Sequence, residues 1–226
     1  SGPKSELPEE SGGWCDYMVE LEFFKSMPEG IRKDAWFLTK VTMTGQERNP
    51  ETGRYPLLNW DDPATNQKHP YWKKNIESSD WVFNYDDGYY ETKGISSASG
   101  KTRMIFRYAD ILLLYAEAVA YGTKSIDDLA FDCMWRVQER AGVPLISKDV
   151  TKEYFQKAVL DERRWETAGM EHSCMGRFFT MQRHEILHLQ KNYRDAAELS
   201  LNPNLTLSEE FYYFPIPDNE LLIVPG

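Results

Sequence analysis

The strongest constraint on this chain is a change of pattern near residue 102, because it divides the sequence into a part that cannot hold long helices and a part built from them. Before that point Pro28-Glu-Gly30, Asn49-Pro50, Asp61-Asp-Pro63 and Asp86-Asp-Gly88 place turn signals too close together for extended helical runs. Residues 1–102 are therefore expected to form an irregular region of loops and short strands. Phe37–Met43 alternates weakly and reads as one such strand, and Trp81–Tyr85 as another. Residues 103–226 are expected to fold as helical hairpins followed by an extended C-terminal segment. The fold class read from this division is mainly α with a loop-rich region containing short strands.

The helical part can be read element by element. Tyr108, Leu112, Tyr115, Val119 and Gly122 recur at spacings of three and four and predict one inward stripe, with Arg107, Asp110 and Glu117 on another face. Ser125-Ile-Asp-Asp128 resembles a capping box opening a second helix whose inward positions are Leu129, Ala130, Cys133, Met134 and Val137. Gly142 and Pro144 end it. A third helix is expected from Thr151 to Ala168, with Tyr154, Phe155, Ala158, Val159 and Trp165 facing inward and Gly169 just beyond its end. A fourth is expected over Met175–Gln190. Two short-turned hairpins cannot each bury a face alone, so they must stack on one another or on further helices. Phe211–Pro217 reads as an extended aromatic segment.

Charge narrows the function. The 226 residues carry a formal net charge of −10, the wrong sign for holding a phosphate backbone, and nucleic acid is excluded as a partner. The apolar stretch Met104–Tyr121 is interrupted by Arg107, Asp110 and Glu117 and is not a membrane span. Cys15, Cys133 and Cys174 are too few for a disulfide scaffold and lack metal-binding spacing. No apolar run precedes Cys15 that would make it a lipidation cysteine.

Three motifs suggest chemistry, and each has a plainer reading. Gly94–Thr102 resembles a phosphate loop but holds five residues between its glycines where the phosphate cradle needs four, so it reads as a flexible Gly/Ser loop. His184-Glu185-Ile-Leu-His188 matches the HExxH pattern of zinc peptidases, which requires both imidazoles one turn apart on a helix. Lys191 and Arg194 stand where an extended version would have Gly and a third His, although Glu209, Glu210 or Glu220 could supply a carboxylate ligand. A polar helix face accounts for the same residues. Glu162 and Glu166 could suggest acid/base work, but Arg163 and Arg164 between them favour a structural ion-pair network. No catalytic residue, metal ligand or cofactor is assigned.

Aromatic residues make up 14% of the chain, and many lie among polar residues rather than in periodic runs. Between Tyr55 and Tyr90 they interleave with Asn and Asp. Flat rings that stack on the C–H faces of sugars, beside side chains that bond their hydroxyls, meet the requirements of a carbohydrate site. Trp60, Trp81, Tyr85 and Tyr89 are the stacking candidates, with Asp61, Asn84 and Asp86 as hydrogen-bonding candidates.

The helical motifs then carry a resemblance. Arg107-Tyr-Ala-Asp-Ile-Leu-Leu-Leu-Tyr-Ala-Glu-Ala118, Arg140-Ala-Gly-Val-Pro144, Asp161-Glu-Arg-Arg-Trp-Glu166 and Phe214-Pro-Ile-Pro217 followed by Glu220 resemble, in order and spacing, signatures of the SusD/RagB family of Bacteroidota surface lipoproteins. Tyr71-Trp-Lys-Lys74 is similar to a strand that precedes them. Trp135 and Gln138 depart from it where the family usually has Asn and Arg, as do Ser173, Cys174 and Gly176. The resemblance implies a tetratricopeptide-like scaffold whose loop-rich face binds oligosaccharide or polysaccharide without catalysis. It implies a SusC-like TonB-dependent transporter as partner and a surface-exposed outer-membrane location, with attachment through an N-terminal lipid anchor absent from this chain. Members run to about twice this length, so the chain is expected to be a C-terminal portion of a SusD-like protein. The alternatives are a zinc metallopeptidase acting through His184, Glu185 and His188, and a helical protein-interaction scaffold.

Overall fold

The computed structural model describes residues 19–42, 47, 49–51, 53, 56–64, 69–73, 81–84, 89–92, 106–169, 177–189 and 196. Among the described residues the second half holds α3 (Tyr108–Tyr121), α4 (Asp128–Ala141), α5 (Lys152–Thr167) and the short α6 (Arg177–Arg183). Helix α3 packs against both α4 and α5, so consecutive hairpins stack as the paired periodicities require. The first half adds two short helices that turn signals alone did not reveal, α1 (Leu21–Ser26) and α2 (Ile31–Trp36). It also holds three two-stranded antiparallel pairings. β1 (Phe37–Leu38) pairs with β4 (Tyr71–Trp72), β2 (Lys40–Thr42) with β3 (Leu57–Asn59), and β5 (Trp81–Asn84) with β6 (Tyr89–Thr92). The strand expected over Phe37–Met43 is thus split at Thr39 between two partners.

The helix ends follow capping chemistry, with one displacement. The side chain of Asp127, not Ser125, caps α4 by accepting from the Ala130 amide at 2.8 Å. Asp127 has the extended backbone an N-cap needs, and its carboxylate is a stronger acceptor beside the exposed amides than a hydroxyl two residues earlier. Thr151 caps α5 through the Tyr154 amide. Gly142 ends α4 in the left-handed region at φ 68°, as its position predicts.

The inward face of α3 is rotated from the one its large residues suggest. Ala109, Asp110, Leu113, Ala116, Glu117 and Ala120 are buried, while Tyr108 is 67% exposed and Tyr115 also faces outward. Small residues win the interior because alanines let α4 and α5 approach closely, and the two acids enter because arginines meet them there. Leu112 and Val119 pack at the margin of the same core. Similar shifts place Leu129 and Tyr154 outside, whereas Ala130, Cys133, Met134, Val137, Phe155 and Val159 are buried as predicted. The two residues that depart from the family signature have a local role. Trp135 Nε1 donates to the Ile146 carbonyl at 2.7 Å, and Gln138 Oε1 accepts from the Ile146 amide at 2.9 Å, pinning the loop after α4.

The fourth helix is shorter than its pattern. It ends at Arg183, Glu185 adopts a positive φ of 55°, and a separate single turn follows at residues 187–189. No helix among the described residues is long and apolar enough to cross a membrane. Gly94–Thr102, Cys15, Cys174, Phe211–Pro217 and the glutamates at 209, 210 and 220 lie outside the described residues.

Candidate functional site

A buried ionic network fixes the helices that support the site. Glu166, with its side chain 1% exposed, receives Arg107 Nη1 at 2.8 Å, Arg140 Nη2 at 2.5 Å and Arg32 Nη1 at 3.1 Å. Arg32 Nη1 also meets Glu162 at 2.5 Å. Arg107 also closes on Asp110 within the start of α3, and its Nη2 donates to the Glu166 carbonyl, which joins the start of α3 to the end of α5. Deeper along α3, Glu117 gathers Arg163, Arg183 and His184. Burial alone would raise the Glu117 pKa, but Arg163, His184 and Arg183 outweigh it and hold the carboxyl below its usual range. Burial dominates at Glu162 and raises its pKa despite Arg32. Glu162 and Glu166 thus sit in an ion-pair network as expected, but their partners are Arg32, Arg107 and Arg140 rather than the interposed Arg163 and Arg164, which pair with Glu117 and Asp161.

Arg32 ties this network to the first half of the chain, because it projects from α2 into the interface of α4 and α5. Helix α2 can approach that closely because Gly30 lies against the end of α4. A Cβ there would meet the Ala141 carbonyl oxygen at 2.7 Å. Around α1 and α2 an aromatic cluster forms its own small core. Phe23, Phe37 and Trp72 pack together, and Phe24 contacts Phe37 and Trp60 edge-on at centroid distances of 5.1 and 5.8 Å.

A groove of about 340 Å³ opens at the margin of this cluster. Phe24 and Phe37 give it an apolar wall beside the hydroxyl-bearing Thr39, and Glu29, Lys33, Asp34, Lys40 and Lys73 make most of its lining polar. Lys33 is held by Glu29 at 2.6 Å and by the Met27 carbonyl at 3.1 Å, with its ammonium 4.5 Å from the centroid of the Phe24 ring. Trp60 does not itself line the groove but contacts two residues that do, its ring meeting Phe24 and its amide donating to the carbonyl of Thr39 at 2.8 Å. A volume of this size holds one or two sugar rings.

The sequence-predicted residues fall into two groups. Trp60 and Asp61 share the turn after β3, the indole half-buried and the carboxylate exposed. Trp81 and Asn84 lie on β5 and Tyr89 on β6, where the register sets Asn84 opposite Tyr89 and Trp81 opposite Thr92. Tyr85 and Asp86 lie outside the described residues. Sequence reasoning missed Phe24, Lys40 and Lys73 as groove residues. Their signal was the placement of lysine beside aromatic or alternating segments, in Phe37–Met43 and in Tyr71-Trp-Lys-Lys74.

The geometry that HExxH requires is not formed. His184 follows the last residue of α6, the left-handed Glu185 breaks the helical path, and His188 sits exposed in the next turn. His184 Nε2 is engaged with Glu117 at 2.7 Å, and its ring lies 4.1 Å from that of Tyr121. Among the described residues no cluster of three His, Cys, Asp or Glu side chains is placed to hold a metal ion.

Comparison with known proteins agrees with this architecture. No curated protein matches the chain. Among solved structures, it is similar to a crystal structure of a SusD homolog from Bacteroides thetaiotaomicron VPI-5482, with a TM-score of 0.51 and 20% identity over 89% of this chain. The match covers 34% of that structure's chain, so this chain spans about a third of its length. A family model described as SusD family matches residues 1–226, the whole sequence, and the chain belongs to the SusD family.

Proposed function

We propose that this chain contributes to non-catalytic binding of oligosaccharide or polysaccharide at the bacterial cell surface, for delivery to a SusC-like TonB-dependent transporter in the outer membrane. The observation that carries the reading is the groove beside Trp60, an apolar wall in a largely polar lining, set on a helical scaffold in a chain of the SusD family. Such a surface matches the two-sided chemistry of a sugar ring, whose C–H faces favour aromatic contact while its hydroxyls need polar partners. Trp60 and Asp61 would meet the ligand at the groove, with Trp81, Asn84, Tyr85, Asp86 and Tyr89 extending the binding face. A few ring contacts and exposed hydrogen bonds give binding of roughly −4 to −8 kcal/mol, from the millimolar to the micromolar range. Titration calorimetry against a panel of neutral and acidic polysaccharides tests this. Binding that weakens in Trp60→Ala with unchanged circular dichroism is expected, and no binding to any member would refute it.

One observation favours a second reading, a scaffold for protein partners. Tyr108, Ile111 and Tyr115 give the outer face of α3 an exposed apolar stripe, while Trp60 is only half exposed. In the glycan reading that stripe is available to the transporter. The two readings separate if Tyr108→Ser with Tyr115→Ser removes protein association while glycan binding persists.

A further inference from the structure

The charges around the groove do not cancel. Lys33 and Glu29 neutralise each other across 2.6 Å, and Lys33 is further committed to the Met27 carbonyl. The fixed charges left in the lining are Asp34 against Lys40 and Lys73. None of these three has an ion-pair partner among the described residues. Lys40 comes from β2, where the register sets it opposite the exposed Asn59, one residue before Trp60. Lys73 comes from the residue after β4. Two lysines, one from β2 and one just after β4, thus line one groove beside Phe24. This local excess of positive charge stands in a chain whose formal net charge is −10.

From this arrangement we propose that the groove selects an anionic sugar, with Lys40 and Lys73 binding the carboxylate of a uronic acid or the sulfate of a sulfated residue while Asp34 accepts from a hydroxyl. The inference rests on the glycan-binding reading and adds the class of glycan. A neutral sugar offers both amines only uncharged hydroxyl oxygens as acceptors, whereas an anionic group accepts stronger, doubly charge-assisted hydrogen bonds from them. The overall negative charge does not oppose this at working salt. The Debye length is about 8 Å at physiological ionic strength, so remote acids are screened and groups within the groove dominate.

The test uses two matched pairs of probes with the full chain: polygalacturonate against its methyl ester, and dextran sulfate against dextran. For at least one pair the anionic member should bind roughly tenfold more tightly than its neutral partner, and the advantage should shrink as salt rises. Lys40→Gln with Lys73→Gln should abolish that preference. The pair that responds distinguishes carboxylate from sulfate. Equal binding within both pairs, or a preference that survives the double substitution, overturns the inference. Binding to neutral polysaccharides alone overturns it while leaving glycan binding intact, and failure of every polysaccharide removes both.

Discussion

Replacing Glu166 by alanine tests the claim that the ionic network, rather than helix pairing alone, fixes α2 to the scaffold. The carboxylate serves three guanidinium groups, and their environments differ. Arg140 has a side chain 58% exposed, so it recovers water when its partner is lost and contributes little. Arg32 and Arg107 have side chains only 4% and 19% exposed. After the substitution Arg32 keeps Glu162 and Arg107 keeps Asp110, but each loses a carboxylate in a site with little access to water. Arg32 is the more vulnerable, because its Nε and Nη2 already lack an acceptor among the described residues. Breaking a buried pair costs about 3 to 5 kcal/mol, and the retained partners place this case near about 3 kcal/mol. With a urea slope of about 2 to 3 kcal/mol per M, the unfolding midpoint should fall by about 1 to 1.5 M. Hydrogen exchange should show the amides of Ile31–Trp36 opening before those of α4, since Arg32 is on α2. Arg140→Ala is the control and should move the midpoint by less than about 0.3 M. A Glu166→Ala midpoint within that margin of the wild type, or an equal loss from Arg140→Ala, would refute the reasoning.

Further predictions concern the same scaffold. The Glu117 carboxyl is held below its ordinary value near 4.5, so its stabilising contribution is complete above that value and disappears as pH falls through the depressed one. Glu162 has the opposite sign: its raised pKa means a penalty at neutral pH that is relieved as pH falls through the raised value towards the ordinary one. Glu117→Gln should therefore lower stability at pH 7 and flatten its decline below pH 4.5, followed by urea titration across that range. A decline as steep as the wild type's would exclude Glu117 as its source. Gly30→Ala sets a methyl group against the Ala141 and Gly142 carbonyl oxygens, at 2.7 and 2.8 Å, where backbone atoms cannot easily yield. A loss of about 2 kcal/mol is expected, seen as a fall in Tm of about 4 to 8 °C. Gly169→Ala combines φ +65° with a Cβ 2.7 Å from the Trp72 ring, and should cost at least about 1 kcal/mol in the same assay. Gln138→Ala leaves the buried Ile146 amide without its acceptor, a loss of about 1 to 3 kcal/mol. An unchanged Tm in any of these would show that the loop or helix end relaxes freely.

What the sequence disclosed and what it concealed have a common cause. The helical motifs among those that carried the family resemblance run from Arg107 to Glu166 and contain Glu117, Arg140, Glu162 and Arg163. These residues meet in two ion-pair groups centred on buried carboxylates, one around Glu166 and Glu162 and one around Glu117. Buried ion pairs depend on residue type at fixed helical spacing, so they leave a readable trace. The same burial misleads a reading by periodicity. Asp110 and Glu117 mark a polar face only while their arginines are out of view, and the stripe on α3 was accordingly assigned to the exposed tyrosines. The groove depends on the opposite kind of information. Phe24, Lys40 and Lys73 come together through α1 and two separate strand pairings, β2 with β3 and β1 with β4. Registers of two or three residues leave almost no periodic signal, and a lysine beside an aromatic residue has no fixed spacing to search for. The scaffold is therefore legible as a pattern, while the surface it presents becomes legible only when distant loops are placed side by side. For a fold whose recognition face lies outside its helices, a strong family signature identifies what supports the ligand and leaves the ligand's chemistry to the groove. Under the proposal that the groove takes glycan, the choice between neutral and anionic sugars is therefore assigned to Lys40 and Lys73, two residues outside the helical motifs.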